Sequence, residues 1–443
     1  MTNMCKGSIP RHLFFYAVPL ILGNIFQLTY NAVDSIILGR FSGKSALAAV
    51  GVANPIMNIL IFLIVGICLG AGVLMSEFYG AGNYKRLKHE ISTTITIGFI
   101  ITLIMTISCI IFIRPILFLA KTPENLMAET SLYLRMVFGG LIFTFFYNIF
   151  ATTLRAVGDS RTPIICVSIS AVLNGVLDYI LVAKFAQGIF GAAIATVTSQ
   201  AVSCFLCTGY VYLKQPLLAV KISDFKVDSS LIKSTLSYSW ATAMQQTVLH
   251  IGKLLVQSAV NPLGVDSIAA FNAGTKIDDF AYQPGQNIGH SMTTLIAQNR
   301  GAGLVKRERA GFKWGMLMEI TYGICIFALV ALSRGFLIRL FVNAEEINVI
   351  QLGKQYLLLM ACFYVLPCIT NGLQGFFRGM GNMKVTVICT TAQMIGRVGF
   401  SYLLAPKYGI PGIAWACFFG WILMLLVEVP QVIHTRRTIL KEN

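Results

Sequence analysis

Apolar residues run along this chain in stretches long enough to cross a lipid bilayer, separated by short polar turns. The stretches do not alternate apolar and polar positions, as the short segments of a transmembrane β-barrel would. An α-helix needs about 20 apolar residues to traverse the hydrocarbon. Twelve stretches meet that length: 13–38, 47–75, 90–113, 130–151, 163–183, 188–213, 234–260, 267–297, 313–333, 354–376, 385–405 and 409–435. The predicted fold class is an all-α polytopic membrane protein with twelve transmembrane helices.

The pattern also repeats. Residues 43–86 lie on residues 264–307 at an offset of 221 without a gap. Eleven of these forty-four positions are identical, among them Gly43/Gly264, Gly80/Gly301, Gly82/Gly303, Lys85/Lys306 and Arg86/Arg307, where unrelated sequence of this composition gives about three or four. Arg155-Ala-Val-Gly-Asp159 answers Arg378-Gly-Met-Gly-Asn382, and Gly188-Ile-Phe-Gly191 answers Gly409-Ile-Pro-Gly412. Six spans per half send both halves into the membrane in the same direction, so they are parallel repeats. The predicted organisation is an N-terminal six-helix lobe over 1–213, a cytosolic linker over 214–233 and a C-terminal six-helix lobe over 234–443. Two homologous halves in so apolar a chain mark a transporter that rocks around a central site. The two Gly-Ala-Gly turns are read as helix ends. No strand precedes them, which argues against phosphate cradles.

Composition sharpens this reading at three points. The chain is 56% hydrophobic and 12% charged, yet carries a net charge of +16. If the N-terminus is cytosolic, the inside loops hold twenty-one Lys and Arg residues and the outside loops eight. That bias places both termini in the cytosol and assigns the charge to topology in a cell (inner) membrane, not to nucleic acid. The eleven cysteines fall almost entirely within spans. Cys204 and Cys207 have CxxC spacing in mid-helix with no second ligand pair, which points to helix packing. The first apolar stretch runs to a full span and is read as a membrane helix, not a cleavable signal peptide. Neither a soluble domain nor enzyme chemistry is expected.

Ionisable groups in hydrocarbon are expensive, so each carries a functional hypothesis. Gln27, Tyr30, Asn31 and Asp34 follow at i, i+3, i+4 and i+7 on one face of span 1, and Asn174 and Asp178 are i, i+4 neighbours in span 5. Two carboxylates at matched depth with amide and hydroxyl oxygens nearby can hold a proton or a small hard cation such as Na⁺. The alternative is that each aspartate caps a helix break or meets water. In span 7, Gln246, His250, Lys253 and Gln257 form a polar stripe expected to face a cavity. In span 8, Lys276 and Asp279 stand i, i+3, close enough to neutralise each other beside Asp278. Both a structural salt bridge and a substrate or gating role stay open for this cluster. Arg397 has no sequence-local partner, and His290, Glu319 and Glu428 are placed toward helix ends in structural roles.

Together these features resemble the multidrug and toxic compound extrusion (MATE) family, prokaryotic type. The resemblance covers the whole chain and rests on Pro19 to Gly39, the two Gly-Ala-Gly turns with their Lys-Arg pairs, Arg155 to Asp159, the Asn174–Asp178 pair and Gln298 to Gly303. It implies two six-helix bundles around a cavity that opens alternately to either side, and export of small amphipathic substrates against H⁺ or Na⁺, with no cofactor. It implies a functional monomer. A cation-coupling site would fall on Asp34, Asn174, Asp178 and Thr196, with Gln27 and Tyr30 in the same cavity and Pro19 where the first helix bends. This chain departs from one branch of the family in having no coupling carboxylate in span 7 or span 10, which favours coupling through the N-terminal lobe. A lipid-linked oligosaccharide flippase is the alternative, but its diphosphate would call for a more cationic N-lobe. A channel needs no two-half design, and a receptor needs an output domain. The topology reading has a direct check. In a cysteine-depleted background, a cysteine at 121 should label from outside the cell and one at 226 only after permeabilisation, and the reverse order would overturn the orientation.

Overall fold

The computed structural model describes residues 3–120, 122–221, 224–225, 229–343 and 345–441, the side chains at 28, 30–36, 39, 43, 44, 47 and 436–441 excepted. Among the described residues the chain is helical, with no strand. In order the helices are α1 (Ile9–Phe41), α2 (Gly43–Gly80), α3 (Tyr84–Ile111), α4 (Ile113–Leu119), α5 (Glu124–Gly139), α6 (Leu141–Ala156), α7 (Arg161–Asp178) and α8 (Gly188–Lys214). They continue with α9 (Ser229–Val260), α10 (Val265–Gly301), α11 (Val305–Arg339), α12 (Ile347–Phe363), α13 (Val365–Gly379), α14 (Met383–Tyr408) and α15 (Ile410–Lys441).

Each of the twelve expected stretches corresponds, to within two residues at its ends, to one helix, one bent pair, or α7 with the π-helical turn Tyr179–Lys184 that continues it. The stretch at 130–151 is split into α5 and α6, bent by 41°, and that at 354–376 into α12 and α13, bent by 46°. Both breaks have chemical causes. Gly139 and Gly140 lack the side chains that would hold one helix rigid. Pro367 has no N–H to offer the carbonyl of Phe363, one turn back, so the α12 hydrogen-bond ladder stops there. Eight described helices are long and apolar enough to cross a membrane unaided, and ten spans result if each bent pair counts as one. The long helices outside that tally are α9 and α10, the ones that carry the polar stripe and the Lys276 cluster.

The repeat is visible in the backbone. Gly82 and Gly303 both have φ +68, Gly158 and Gly381 have φ +85 and +74, and Gly188 and Gly409 have φ +56 and +62. A side chain at any of these turns would be strained, so glycine recurs at the matching turns after α2 and α10, after α6 and α13, and at the starts of α8 and α15. The residue after Gly158 is Asp159, whose Oδ1 accepts from the amides of Arg161 and Thr162 at 3.1 and 3.0 Å. In its N-terminal copy the second repeated block is thus a helix-reversing turn followed by a helix cap.

By packing, the chain forms two units. Unit 1 contains Val18–Ala243, and unit 2 contains Met4–Ala17 with Met244–Asn443. The chain passes between units inside α1, one residue before Pro19, and inside α9. In unit 1, α2 packs on α3, α5 and α6, while α8 packs on α6 and α7. The segment expected as a polar linker folds onto this unit, with Leu218 and Val220 buried in its core and the Tyr212 hydroxyl bonded to the Val220 carbonyl at 3.0 Å. In unit 2, α10 packs on α11, α12 and α13, and α14 pairs along its length with α15.

The α10–α13 contact brings backbone against backbone. A Cβ on Gly375 would sit 2.5 Å from the Gly289 carbonyl oxygen, too near for either helix to yield. Small residues permit such approaches between membrane helices. Gly375→Val should therefore destabilise the protein by about 1–3 kcal/mol. Thermal unfolding of the detergent-solubilised protein tests this, and an unchanged midpoint contradicts the close approach.

Candidate functional site

In unit 1 the candidate ion site is built on α7. The Asp159 cap fixes where the helix starts, and from there Pro163, Cys166, Ser170, Asn174 and Asp178 fall on one buried stripe. A stripe of this kind is normally apolar. Here its last three members are polar: the Ser170 hydroxyl is spent on the Ser199 carbonyl of α8, and Asn174 and Asp178 are 0% and 1% exposed. The amide oxygen and nitrogen of Asn174 have no hydrogen-bond partner among the described residues. The turn that begins at Tyr179, directly after Asp178, is π-helical and runs to Lys184. Such widened turns recur at functional sites because they displace the register of the side chains around them.

Thr196 lies on α8, half-buried, with its hydroxyl committed to the Ala192 carbonyl at 2.9 Å. Gln27 is exposed on α1, and the side chains of Tyr30, Asn31 and Asp34 lie outside the described residues. The geometry therefore describes the Asn174–Asp178 half of the expected constellation. The described residues contain no cluster of three or more His, Cys, Asp or Glu side chains arranged for a metal ion.

Unit 1 holds a second buried acid that sequence reasoning passed over. Glu90 of α3 is 0% exposed, and its two carboxylate oxygens accept from the Thr235 hydroxyl at 2.8 and 2.9 Å. Thr94 adds a donor at 3.3 Å. Ser239 donates to the Ile67 carbonyl at 2.8 Å, and the Gly70 backbone touches Tyr238 so closely that a Cβ would stand 2.5 Å from it. These contacts moor the first turns of α9 to unit 1. Glu90 stands at the edge of its expected span, next to Lys88 and His89, where an acid reads as a headgroup residue.

Unit 2 redistributes the polar residues expected on α9 and α10. Asp279 does not pair with Lys276. It pairs with Lys253 at 3.2 Å, with side chains 47% and 55% exposed, while the Lys276 ammonium lies 5.8 Å over the Phe341 ring. Asp278 and Asp279 are one residue apart, so their side chains diverge by about 100° around the helix. Asp278 points into the core and is held by two tyrosines of α12 and its bend: Tyr356 donates to Oδ2 and Tyr364 to Oδ1, each at 2.6 Å. Arg397 of α14 lies within electrostatic reach and supplies the through-space partner that its own neighbours in sequence do not. The three-residue cluster is therefore resolved into an exposed ion pair, a cation over a ring and a buried, fully bonded acid.

The stripe on α9 is shifted as well. Gln246, His250 and Gln257 are half-buried and Lys253 is exposed, with Gln257 donating to Asn261 at 3.2 Å. The deeply buried amide is the neighbouring Gln245, whose Nε2 donates to Gln374 and to Thr390, both at 3.0 Å. Glu319 and Glu428, expected near helix ends, are both 0% exposed. Glu319 lies well inside α11 because that helix begins at Val305, before its expected span, and Glu428 lies inside α15 because that helix runs on to Lys441.

The Gln298 to Gly303 segment has a structural task. Gln298 Oε1 accepts from the Met4 amide at 3.1 Å, Asn299 Nδ2 donates to the Met4 carbonyl at 3.3 Å, and Arg307 donates to the Met4 and Gly7 carbonyls at 2.9 and 3.0 Å. The hydroxyls of Tyr16 and Thr294 stand 3.1 Å apart. These bonds bind Met4–Ala17 into unit 2.

Comparison with known proteins places this architecture. The sequence model of the MatE family matches residues 19–180 and again residues 241–403, once in each half. The chain belongs to this family of membrane proteins, known as multidrug and toxic compound extrusion (MATE). It is similar to the probable multidrug resistance protein YpnP of Bacillus subtilis, 28% identical over 93% of this chain and 92% of the relative. It is also similar to the probable multidrug resistance protein YoeA of Bacillus subtilis, 30% identical over 77% of this chain and 75% of the relative. A solved multidrug resistance MATE family transporter of the MOP superfamily superposes with a TM-score of 0.92 over 99% of this chain and 98% of that one, at 19% identity. That match shows the twelve-helix MATE fold.

The two kinds of acid contact should differ in weight. Tyr356→Phe removes one donor from a buried carboxylate and should cost about 1–3 kcal/mol. Lys253→Met breaks an exposed pair and should stay within about 0.5 kcal/mol of the parent. Denaturation midpoints of the two variants, compared in the same detergent, check the ordering.

Proposed function

We propose that this chain exports small amphipathic molecules by alternating access, driven by H⁺ or Na⁺ returning through the acidic site of unit 1. The observation that carries the proposal is the Asn174–Asp178 pair: a carboxyl and an amide, both shut away from solvent, at the end of a membrane helix whose next turn is π-helical. An ionised carboxylate in such surroundings is costly unless a proton or cation accompanies it. Its occupancy therefore reports which side of the membrane last supplied the ion. A gradient biases a two-state cycle only through a group whose ligation differs between the states. Asp178, with Asp34, Asn174 and Thr196 of α8 as its partners, meets that need in the proposed scheme. The relatives named as multidrug resistance proteins support a chemically broad cargo. On this reading the protein works as a monomer in the cell membrane with both termini in the cytosol, as the excess of basic residues in the inside loops indicates.

Reconstitution in proteoliposomes under separate H⁺ and Na⁺ gradients tests the scheme and identifies the ion. Asp178→Asn removes charge at little steric cost and should accumulate as folded protein. Its gradient-driven export should fall to the level seen without a gradient. Wild-type export by this variant under an imposed gradient would sink the proposal.

A further inference from the structure

The C-terminal unit contains an acid that the proposed cycle does not use. Glu319 of α11 is 0% exposed, and neither carboxylate oxygen meets a hydrogen-bond donor among the described residues. Its head lies in a cleft made by absent side chains. A Cβ on Gly285 would stand 3.2 Å from Glu319 Oε2 and 3.4 Å from Asn371 Nδ2, and one on Gly289 would stand 2.9 Å from the Asn371 carbonyl and 3.6 Å from Oε1. Gly372 flanks the stem, its Cβ position 3.4 Å from Glu319 Cγ. Three glycines on two helices thus leave room for a carboxyl group.

A second buried acid belongs to the same neighbourhood. Glu428 of α15 is 0% exposed; Gln374 Nε2 donates to its Oε1, and its Oε2 has no partner among the described residues. Gln374 is itself fixed by Gln245, so Glu428 stands at the end of an ordered amide chain. One cation serves both acids. Arg378 at the end of α13 is within electrostatic reach of Glu319 and of Glu428, and it pairs at contact distance with neither, since the ion pair found among the described residues is Lys253–Asp279. Its Nε points to the Thr293 hydroxyl at 3.4 Å. The other titratable groups facing the two acids are neutral: Tyr322 of α11 and Cys368 of α13 beside Glu319, and Cys389 of α14 beside Glu428.

Charge counting then decides the matter. Two carboxylates and one guanidinium leave one negative charge in an interior that cannot hydrate it, and such a charge is neutralised before it is tolerated. An ionised Glu319 would have the Gly289 backbone beside it and no side-chain donor within bonding distance among the described residues, too little to offset a full charge. We infer that Glu319 is a proton-binding site in unit 2, switched by Arg378, which turns to Glu428 when Glu319 holds the proton and to Glu319 when it does not. A buried group with two alternative partners is a two-state element of the kind a ligand can bias. The site is independent of Asp34 and Asp178. It adds a titrating centre to a half whose spans 7 and 10, here α9 and α12–α13, carry no coupling carboxylate.

Infrared difference spectroscopy of the full-length protein in lipid nanodiscs, between alkaline and acidic buffer in H₂O and D₂O, reads the proton directly. The wild type should show the carbonyl stretch of a buried carboxylic acid, shifted by deuterium. Glu319→Gln should remove one component of that band, and Asp178→Asn should leave that component in place, which separates this site from the unit 1 acids. A folded Glu319→Gln protein that retains the whole band overturns the inference. Glu428→Gln tests it without touching Glu319. With its competitor gone, Arg378 turns to Glu319, and the Glu319 component should vanish at a pH where the wild type still shows it. A component that keeps its wild-type pH range in Glu428→Gln overturns the switch.

Discussion

A polar group inside a bilayer has no water to turn to, and this chain is organised by that shortage. Backbone amides find partners only within a helix, so every stretch of membrane length is helical. Departures occur where local chemistry frees or widens the ladder: at Gly139–Gly140, before Pro367 and in the π-helical turn after Asp178. Glycine turns with positive φ make three of the reversals in each half, at matching places.

The same shortage sorts the buried side chains. Asp278 receives two tyrosine hydroxyls and Glu90 receives threonine hydroxyls, and both join helices that would otherwise meet through apolar contacts alone. These acids are mortar. Asn174 and Glu319 are as deeply buried, yet the described residues give their polar atoms no such partners. An interior that satisfies some acids completely and leaves other polar groups bare has separated two tasks, holding helices together and receiving something from outside the protein.

Much of this was legible in the sequence because hydrocarbon thickness imposes a length and duplication imposes an offset. The helix count, the repeat and the reversing glycines follow from those two constraints. The α7 stripe was legible too, since Asn174 and Asp178 are neighbours along one helix. Contacts between helices were not. Lys276 and Asp279 have the right spacing for a pair, but spacing along one helix says nothing about Lys253 on the next, which reaches Asp279 instead. Gln245 and Gln246 are adjacent, and which one turns inward depends on the rotation of α9, a property of its packing. Glu319 and Glu428 read as helix-end residues because the expected spans were shorter than the helices around them, and Glu90, at the first position of its expected span, was passed over.

The binding of Met4–Ala17 into unit 2 has a consequence for biogenesis. The Met4 amide bonds Gln298, 294 positions later. At a synthesis rate of about 5–20 residues per second, the first residues leave the ribosome roughly 15 to 60 s before their partners exist. During that interval the opening turns of α1 are without their final neighbours, and the start of α9 is made before α10 has entered the membrane. A polypeptide ending after residue 243 would lack the bonds that hold its beginning, and one starting at 244 would lack the segment that Gln298, Asn299 and Arg307 hold. The two halves arose as copies, but they are no longer separable parts, and the order in which the ribosome delivers them is written into their packing.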